Sequence, residues 1–130
     1  MLGDNVFFGH GFPKILAAAD VRPKGGTVFG YRVSDPERYG VVGFDVDGTV
    51  REIVEKPEVA PSNYAVTGIY FLDGSAPELA ATIAHSARGE LEITDLLNLY
   101  LKEFVLNNLH PTVFNQQKAV FVRFASQHLV

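Results

Sequence analysis

Hydrophobic positions along the chain alternate between two spacings. Gly11-Phe12-Pro13-Lys14-Ile15-Leu16-Ala17-Ala18-Ala19 places Ile15, Leu16 and Ala19 on one helical face, and Gly25-Gly26 closes that unit. Thr27-Val28-Phe29-Gly30-Tyr31-Arg32-Val33 is β-branched and aromatic, which predicts a strand. Two further strand-like runs, Val41 to Asp45 and Val50 to Lys56, flank Val46-Asp47-Gly48-Thr49, whose Asp-Gly pair predicts a tight hairpin. After the Pro-rich loop from Pro57 to Pro61, Ala65 to Leu72 shows no alternation and reads as a strand buried on both faces. Ser75-Ala76-Pro77-Glu78 has the form of a capping box, predicting a helix to about Ser86. Leu96, Leu97, Tyr100, Leu101 and Phe104 repeat at helical spacing after Thr94-Asp95 and predict a second helix there. Strands interleaved with helices make an α/β chain, with a parallel element expected. The last stretch, rich in Asn and Gln, holds one strand-like run, Ala119 to Phe124.

Composition narrows the chemistry. At 130 residues, 47% of them apolar, the chain is long enough for one domain with a real core. A net charge of -4 argues against nucleic acid, although a small phosphorylated ligand needs only one or two well-placed cations. The lack of cysteine removes disulfides and thiol chemistry. No apolar run approaches the ~20 residues of a membrane span, and a cytoplasmic protein is the expectation.

Several residues could carry chemistry. Asp4 stands where a strand's carboxyl end is expected, the place where open α/β sheets hold ligands, and could either ligate Mg²⁺ or cap the following turn. Glu55-Lys56-Pro57 ends a strand with opposite charges on adjacent residues. Strand neighbours point to opposite faces, so the two are not expected to form a salt bridge. A carboxylate facing a cleft suits sugar hydroxyls, whereas a lysine suits phosphate. Arg88 beside Gly89, in the charged stretch Arg88 to Asp95, could reach a phosphate; the plainer alternative is a charged connection between helices. Gly40 would allow close backbone approach by a ligand. His10, His85, His110 and His128 show no metal-ligand spacing.

Taken in order, these pieces carry a resemblance. Leu2-Gly3-Asp4-Asn5-Val6-Phe7-Phe8-Gly9-His10-Gly11, Asp35 to Val42, Glu55-Lys56-Pro57, Tyr64 to Phe71 and Arg88 to Asp95 resemble the sugar-phosphate nucleotidyltransferases. The Gly-Asp-Asn and Gly-His-Gly forms are similar to the thymidylyltransferases of that family. The resemblance implies an enzyme with a partial Rossmann-like nucleotidyltransferase fold and a mixed sheet. It also implies Mg²⁺-dependent conversion of dTTP and α-D-glucose 1-phosphate to dTDP-glucose and pyrophosphate, in dTDP-sugar biosynthesis. Carried over by position, Asp4 would ligate Mg²⁺ and Asn5 would lie beside the sugar nucleotide. Gly40 and Val66 would meet the glucose through backbone groups, Glu55 would accept from sugar hydroxyls, and Lys56 and Arg88 would hold the sugar phosphate.

The resemblance runs to about residue 104. Residues 1–105 are expected to form a partial nucleotidyltransferase domain, its sugar-phosphate-binding part, and residues 106–130 a divergent tail. A Gly-Thr-Arg-Leu loop and a Trp-Leu-Asp-Thr-Gly motif, both typical of the family, do not occur. The chain is therefore expected to be a central fragment without the N-terminal nucleotide-binding strands and inactive by itself. The alternative expectation is a remnant that only binds sugar phosphate or associates with a complete homologue, since the family forms homo-oligomers. A central strand with an unpaired edge is expected as well.

Overall fold

The computed structural model describes residues 12–20, 25–106, 112–116 and 119–124. Its elements in chain order are α1 (Phe12–Asp20), β1 (Gly26–Arg32), β2 (Gly40–Phe44), β3 (Val50–Glu55), β4 (Tyr64–Leu72), α2 (Ala76–Ala80), α3 (Ile93–Leu106), β5 (Thr112–Gln116) and β6 (Ala119–Phe124). The strands form one sheet in the order β3-β2-β4-β1-β6-β5.

The hairpin forms where Asp47-Gly48 predicts it. Gly48 takes φ +84°, its N–H bonds to the Asp45 carbonyl at 2.9 Å, and Asp47 Oδ1 accepts from the Thr49 N–H at 2.9 Å. The resulting β2–β3 ladder pairs Gly40 with Glu55 and Val42 with Ile53.

α3 covers one face of the sheet. Leu96, Leu97, Tyr100 and Leu101 are all buried, as their spacing predicts, and they pack with Val28, Val42, Val50 and Ile53 into one core. Val66, Tyr64 and Tyr70 of β4 pack against the same cluster. The mixed α/β architecture agrees with the nucleotidyltransferase fold class expected from sequence.

Two local expectations need correction, and two others are not met among the described residues. Every described pairing is antiparallel, so the expected parallel pairing is not among the described residues. Interleaving strands with helices does not by itself fix the direction in which each strand pairs. β1, not β4, is the buried strand: its first five residues are buried, whereas only Ala65 of β4 is. The expected central parallel strand with an unpaired edge is likewise not among the described residues, and β1 itself is flanked by β4 and β6. Finally, α2 ends at Ala80 instead of near Ser86, and the capping box does not form. Ser75 Oγ donates to Asp73 Oδ1 at 2.5 Å and leaves the helix N-terminus uncapped by its side chain. At the other end the Thr82 hydroxyl bonds back to the Leu79 carbonyl at 2.7 Å, a local alternative to continuing the helix.

The competing partner of Ser75 belongs to a polar junction. Asp73 Oδ1 also accepts from the Ser75 N–H at 3.0 Å and from Tyr100 OH at 3.0 Å, while Oδ2 accepts from the Gly25 N–H at 2.5 Å. One carboxylate thereby ties the ends of β1, β4 and α2 to α3. Burial alone would raise its pKa, but the four hydrogen bonds outweigh that, and the net shift is downward. Burial, with a further contribution from Asp73, raises the pKa of the Tyr100 hydroxyl.

Candidate functional site

The β2–β3 ladder ends at Gly40 and Glu55, and there α3 meets the sheet. A Cβ built on Gly40 would lie 2.7 Å from Thr94 Cγ2, 3.3 Å from Glu55 Oε2 and 4.0 Å from Val66 Cβ. Real Cβ atoms do not approach within 3.0 Å, so only glycine fits there without displacing Thr94. Gly40, Glu55, Val66 and Thr94, from two strands, the neighbouring β4 and the first turn of α3, thus share one small space.

Glu55 is half-buried at the end of β3. Lys56 follows with φ +40°, the left-handed region that side chains rarely occupy, and its N–H still bonds back to the Tyr39 carbonyl at 2.9 Å. This turn overrides the strand alternation. Lys56 Nζ lies 4.0 Å from Glu55 Oε1, so the two charges are paired rather than opposed across the sheet, which corrects the sequence expectation. Backbone strain of this kind costs on the order of 1–3 kcal/mol and concentrates at ligand sites.

Arg88 stands in the turn between α2 and α3. Ser86 N–H bonds to the Glu90 carbonyl at 2.8 Å, Gly89 N–H to the Ser86 carbonyl at 2.8 Å, and Gly89 takes φ +76°. The guanidinium is held by Glu90 and lies 3.2 Å from Glu92 Oε1, which also accepts from Ser86 Oγ at 3.0 Å. The Glu90 hydrogen bond and the charges of Glu92, Glu90 and Glu55 hold its pKa above the usual arginine range. Glu55 is therefore paired with Lys56 and also acts electrostatically on Arg88. Tyr70 feels it as well: burial first, then the Glu55 charge, raises the tyrosine pKa.

Five of the residues expected at a site are thus in one region: Gly40, Glu55, Lys56 and Val66 together, with Arg88 at its margin. Asp4 and Asn5 lie outside the described residues. Among the described residues no group of three His, Asp or Glu side chains could hold a metal ion.

Thr94 and Tyr70 are the additions that sequence reasoning passed over. Thr94 is 2% exposed and its hydroxyl has no partner among the described residues, an uncommon state for a buried polar atom. The sequence signal for it is a threonine at the start of an otherwise leucine-lined helical face.

Comparisons with known proteins bear on the family of the chain. A family described as nucleotidyl transferase matches residues 1–111. A glucose-1-phosphate thymidylyltransferase of Xanthomonas campestris pv. campestris is 60% identical over 101 residues, covering 78% of this chain and 34% of the relative. One from Neisseria gonorrhoeae is 52% identical over 103 residues, covering 79% and 36%. A crystal structure of a Bacillus anthracis protein assigned as a glucose-1-phosphate thymidylyltransferase, solved with sucrose, superposes with a TM-score of 0.63 at 42% identity. It covers 79% of this chain and 41% of that one. The chain spans about a third of the length of these curated relatives. A family match over most of the sequence, on a fold that its solved relatives share, places the chain in the nucleotidyl transferase family.

Proposed function

We propose that the described residues form the sugar-phosphate half of a glucose-1-phosphate thymidylyltransferase site. The convergence of Gly40, Glu55, Val66 and Thr94 carries the proposal, because it sets the bare backbone of Gly40 directly beside a half-buried carboxylate and a residue with an unpartnered buried hydroxyl.

A hexose is bound by directional hydrogen bonds, and an ionised carboxylate can accept two or more of them. Glu55 supplies that acceptor. Backbone groups of Gly40 and Val66 would meet the sugar where side chains are small or turned away. The phosphate is a different problem, since it needs charge. Lys56 offers a mobile point charge next to Glu55, and Arg88 offers a planar fork from the facing turn. Together they would neutralise a dianion and hold its oxygen for in-line attack on the α-phosphorus of dTTP, releasing pyrophosphate. In such a transfer the protein contributes position and charge stabilisation rather than a covalent intermediate.

Mg²⁺ belongs to the proposal through Asp4, whose carboxylate would hold it and which lies outside the described residues; the cation would supply charge neutralisation. The place of the reaction in dTDP-sugar synthesis, a cytoplasmic setting and a homo-oligomeric state are proposed on the same family ground. Sugar-phosphate binding is the property that the described residues support for this chain by itself.

Backbone amide shifts on adding glucose 1-phosphate test the site. Changes concentrated at Gly40, Glu55, Lys56, Val66 and Thr94 are expected, and changes confined to other parts of the sheet would overturn it. Pyrophosphate release with dTTP, glucose 1-phosphate and Mg²⁺ tests the reaction separately from the binding.

A further inference from the structure

Most of the inward face of α3 is leucine and tyrosine, yet Asn98 sits among them, half-buried. Its carboxamide closes a two-point contact with a single residue of β3. Nδ2 donates to the Ile53 carbonyl at 2.7 Å, and Oδ1 accepts from the Ile53 N–H at 2.9 Å.

β3 is an outer strand of the sheet. Ile53 pairs with Val42, and residues of an antiparallel ladder alternate between turning their N–H and C=O toward the partner strand and away from it. At Ile53 both groups face outward, where a further strand would add. Asn98 occupies that position with the same donor and acceptor that a peptide unit would present, so the open edge is satisfied there.

The contact also sets a register. From Asn98 back to Thr94 is four helical residues, about 6.0 Å of rise. From Ile53 on to Glu55 is two strand residues, about 6.7 Å. Pinning Asn98 at Ile53 therefore brings Thr94 level with Glu55 and its ladder partner Gly40, which is where the Thr94 methyl is found. Apolar packing of Leu96, Leu97 and Leu101 is non-directional, so it constrains the register less sharply than a two-point hydrogen bond does. Among the described residues, directional contacts from α3 side chains to the rest of the fold are made by the Tyr100 hydroxyl, which reaches Asp73, and by the Asn98 amide, which bonds β3 itself.

We infer that Asn98 is a positioning residue. It locks α3 against β3 at Ile53 and so fixes the height of Thr94 over Gly40 and Glu55. Its consequence for a ligand rests on the sugar-phosphate reading above.

The test uses the full chain and its Asn98→Leu variant, with two readouts. The first is structural: Ile53 amide-exchange protection and the nuclear Overhauser contact between the Thr94 methyl and the Gly40 α-protons. The second is selectivity: affinity for glucose 1-phosphate relative to inorganic phosphate, which offers Lys56 and Arg88 a charge but offers Glu55 no sugar hydroxyl. In the variant, protection and contact are expected to fall and glucose 1-phosphate affinity to drop about tenfold, the worth of one well-placed hydrogen bond. Inorganic phosphate affinity should hold. If Asn98→Leu does not fold, Asn98→Asp keeps the acceptor for the Ile53 N–H, loses the donor, and should show the same changes in part. An unchanged Thr94–Gly40 contact would overturn the inference. So would a lost contact with an unchanged selectivity ratio. If the unaltered protein ignores glucose 1-phosphate while the contact is still lost in the variant, the register role stands and the sugar reading falls.

Discussion

Lys56 Nζ lies 4.0 Å from Glu55 Oε1 because the chain turns left-handed at Lys56, with φ +40°. An ordinary continuation of β3 would have put the two side chains on opposite faces. The turn places an acceptor for hydroxyls and a charge for phosphate side by side, at the cost of local strain. Lys56→Gly should therefore be more stable than Lys56→Ala by about 1 kcal/mol, since glycine enters this region freely and alanine does not. Urea midpoints of the two variants measure the difference. Both should bind glucose 1-phosphate more weakly than the unaltered protein.

Gly40 and Thr94 form a second testable pair. A methyl at position 40 would press on a buried, β-branched side chain that cannot swing away. Gly40→Ala should cost about 1–3 kcal/mol. Thr94→Ser removes the opposing Cγ2, so the double variant should recover much of that loss. A double-mutant cycle from denaturant unfolding reads the coupling, and purely additive effects would contradict the contact.

Arg88 is shared before any ligand arrives. Glu90 is 63% exposed and can be released to water, whereas the Glu92 carboxylate is only 12% exposed and also bonds Ser86. Glu90 thus competes with phosphate for the guanidinium. Glu90→Gln should tighten glucose 1-phosphate binding by roughly two- to fivefold, the scale of a partly exposed ion pair. The gain should shrink as salt is raised, which calorimetric titration at two ionic strengths can follow.

Asp73 gives the fold an acid-sensitive junction. Its net pKa lies below the ordinary 3.8, so the ionised form is the one that the native state favours. A depressed folded pKa contributes stability that is fully present above the unfolded value and is lost as pH falls through the folded one. Asp73→Asn should cost about 2 kcal/mol near neutral pH. The gap between variant and parent should close as pH drops below 3.8, which unfolding midpoints across pH 2.5–7 would show.

Periodicity located α3 and its buried leucines, and the Asp47-Gly48 turn located the hairpin, because both rest on local rules that tertiary packing here did not override. Ser75 shows where such rules stop. Its spacing to Glu78 suits a cap, but Asp73 lies closer to its hydroxyl in the folded chain. Lys56 shows the same limit for alternation, since nothing in Glu55-Lys56-Pro57 announces a positive φ. Thr94 and Asn98 were hidden for a further reason. Each acts through a partner more than forty residues away, at Gly40 and Ile53, and no single-segment pattern carries that distance. Val66 was named only through a resemblance spread over several segments, which also chose between the local alternatives left open at Glu55, Lys56 and Arg88. Asp4 and Asn5, named on the same ground, fall outside the described residues.

The central claim is that Glu55, flanked by Lys56 and set against Gly40 and Thr94, reads a sugar attached to a phosphate. Calorimetric titration of the chain and its Glu55→Ala variant with glucose 1-phosphate, and in parallel with inorganic phosphate, tests it most directly. The account predicts that Glu55→Ala loses about ten- to a hundredfold in affinity for glucose 1-phosphate, the worth of hydrogen bonds to a charged acceptor, while inorganic phosphate binds as before or slightly tighter. Equal affinity of both proteins for glucose 1-phosphate would contradict it.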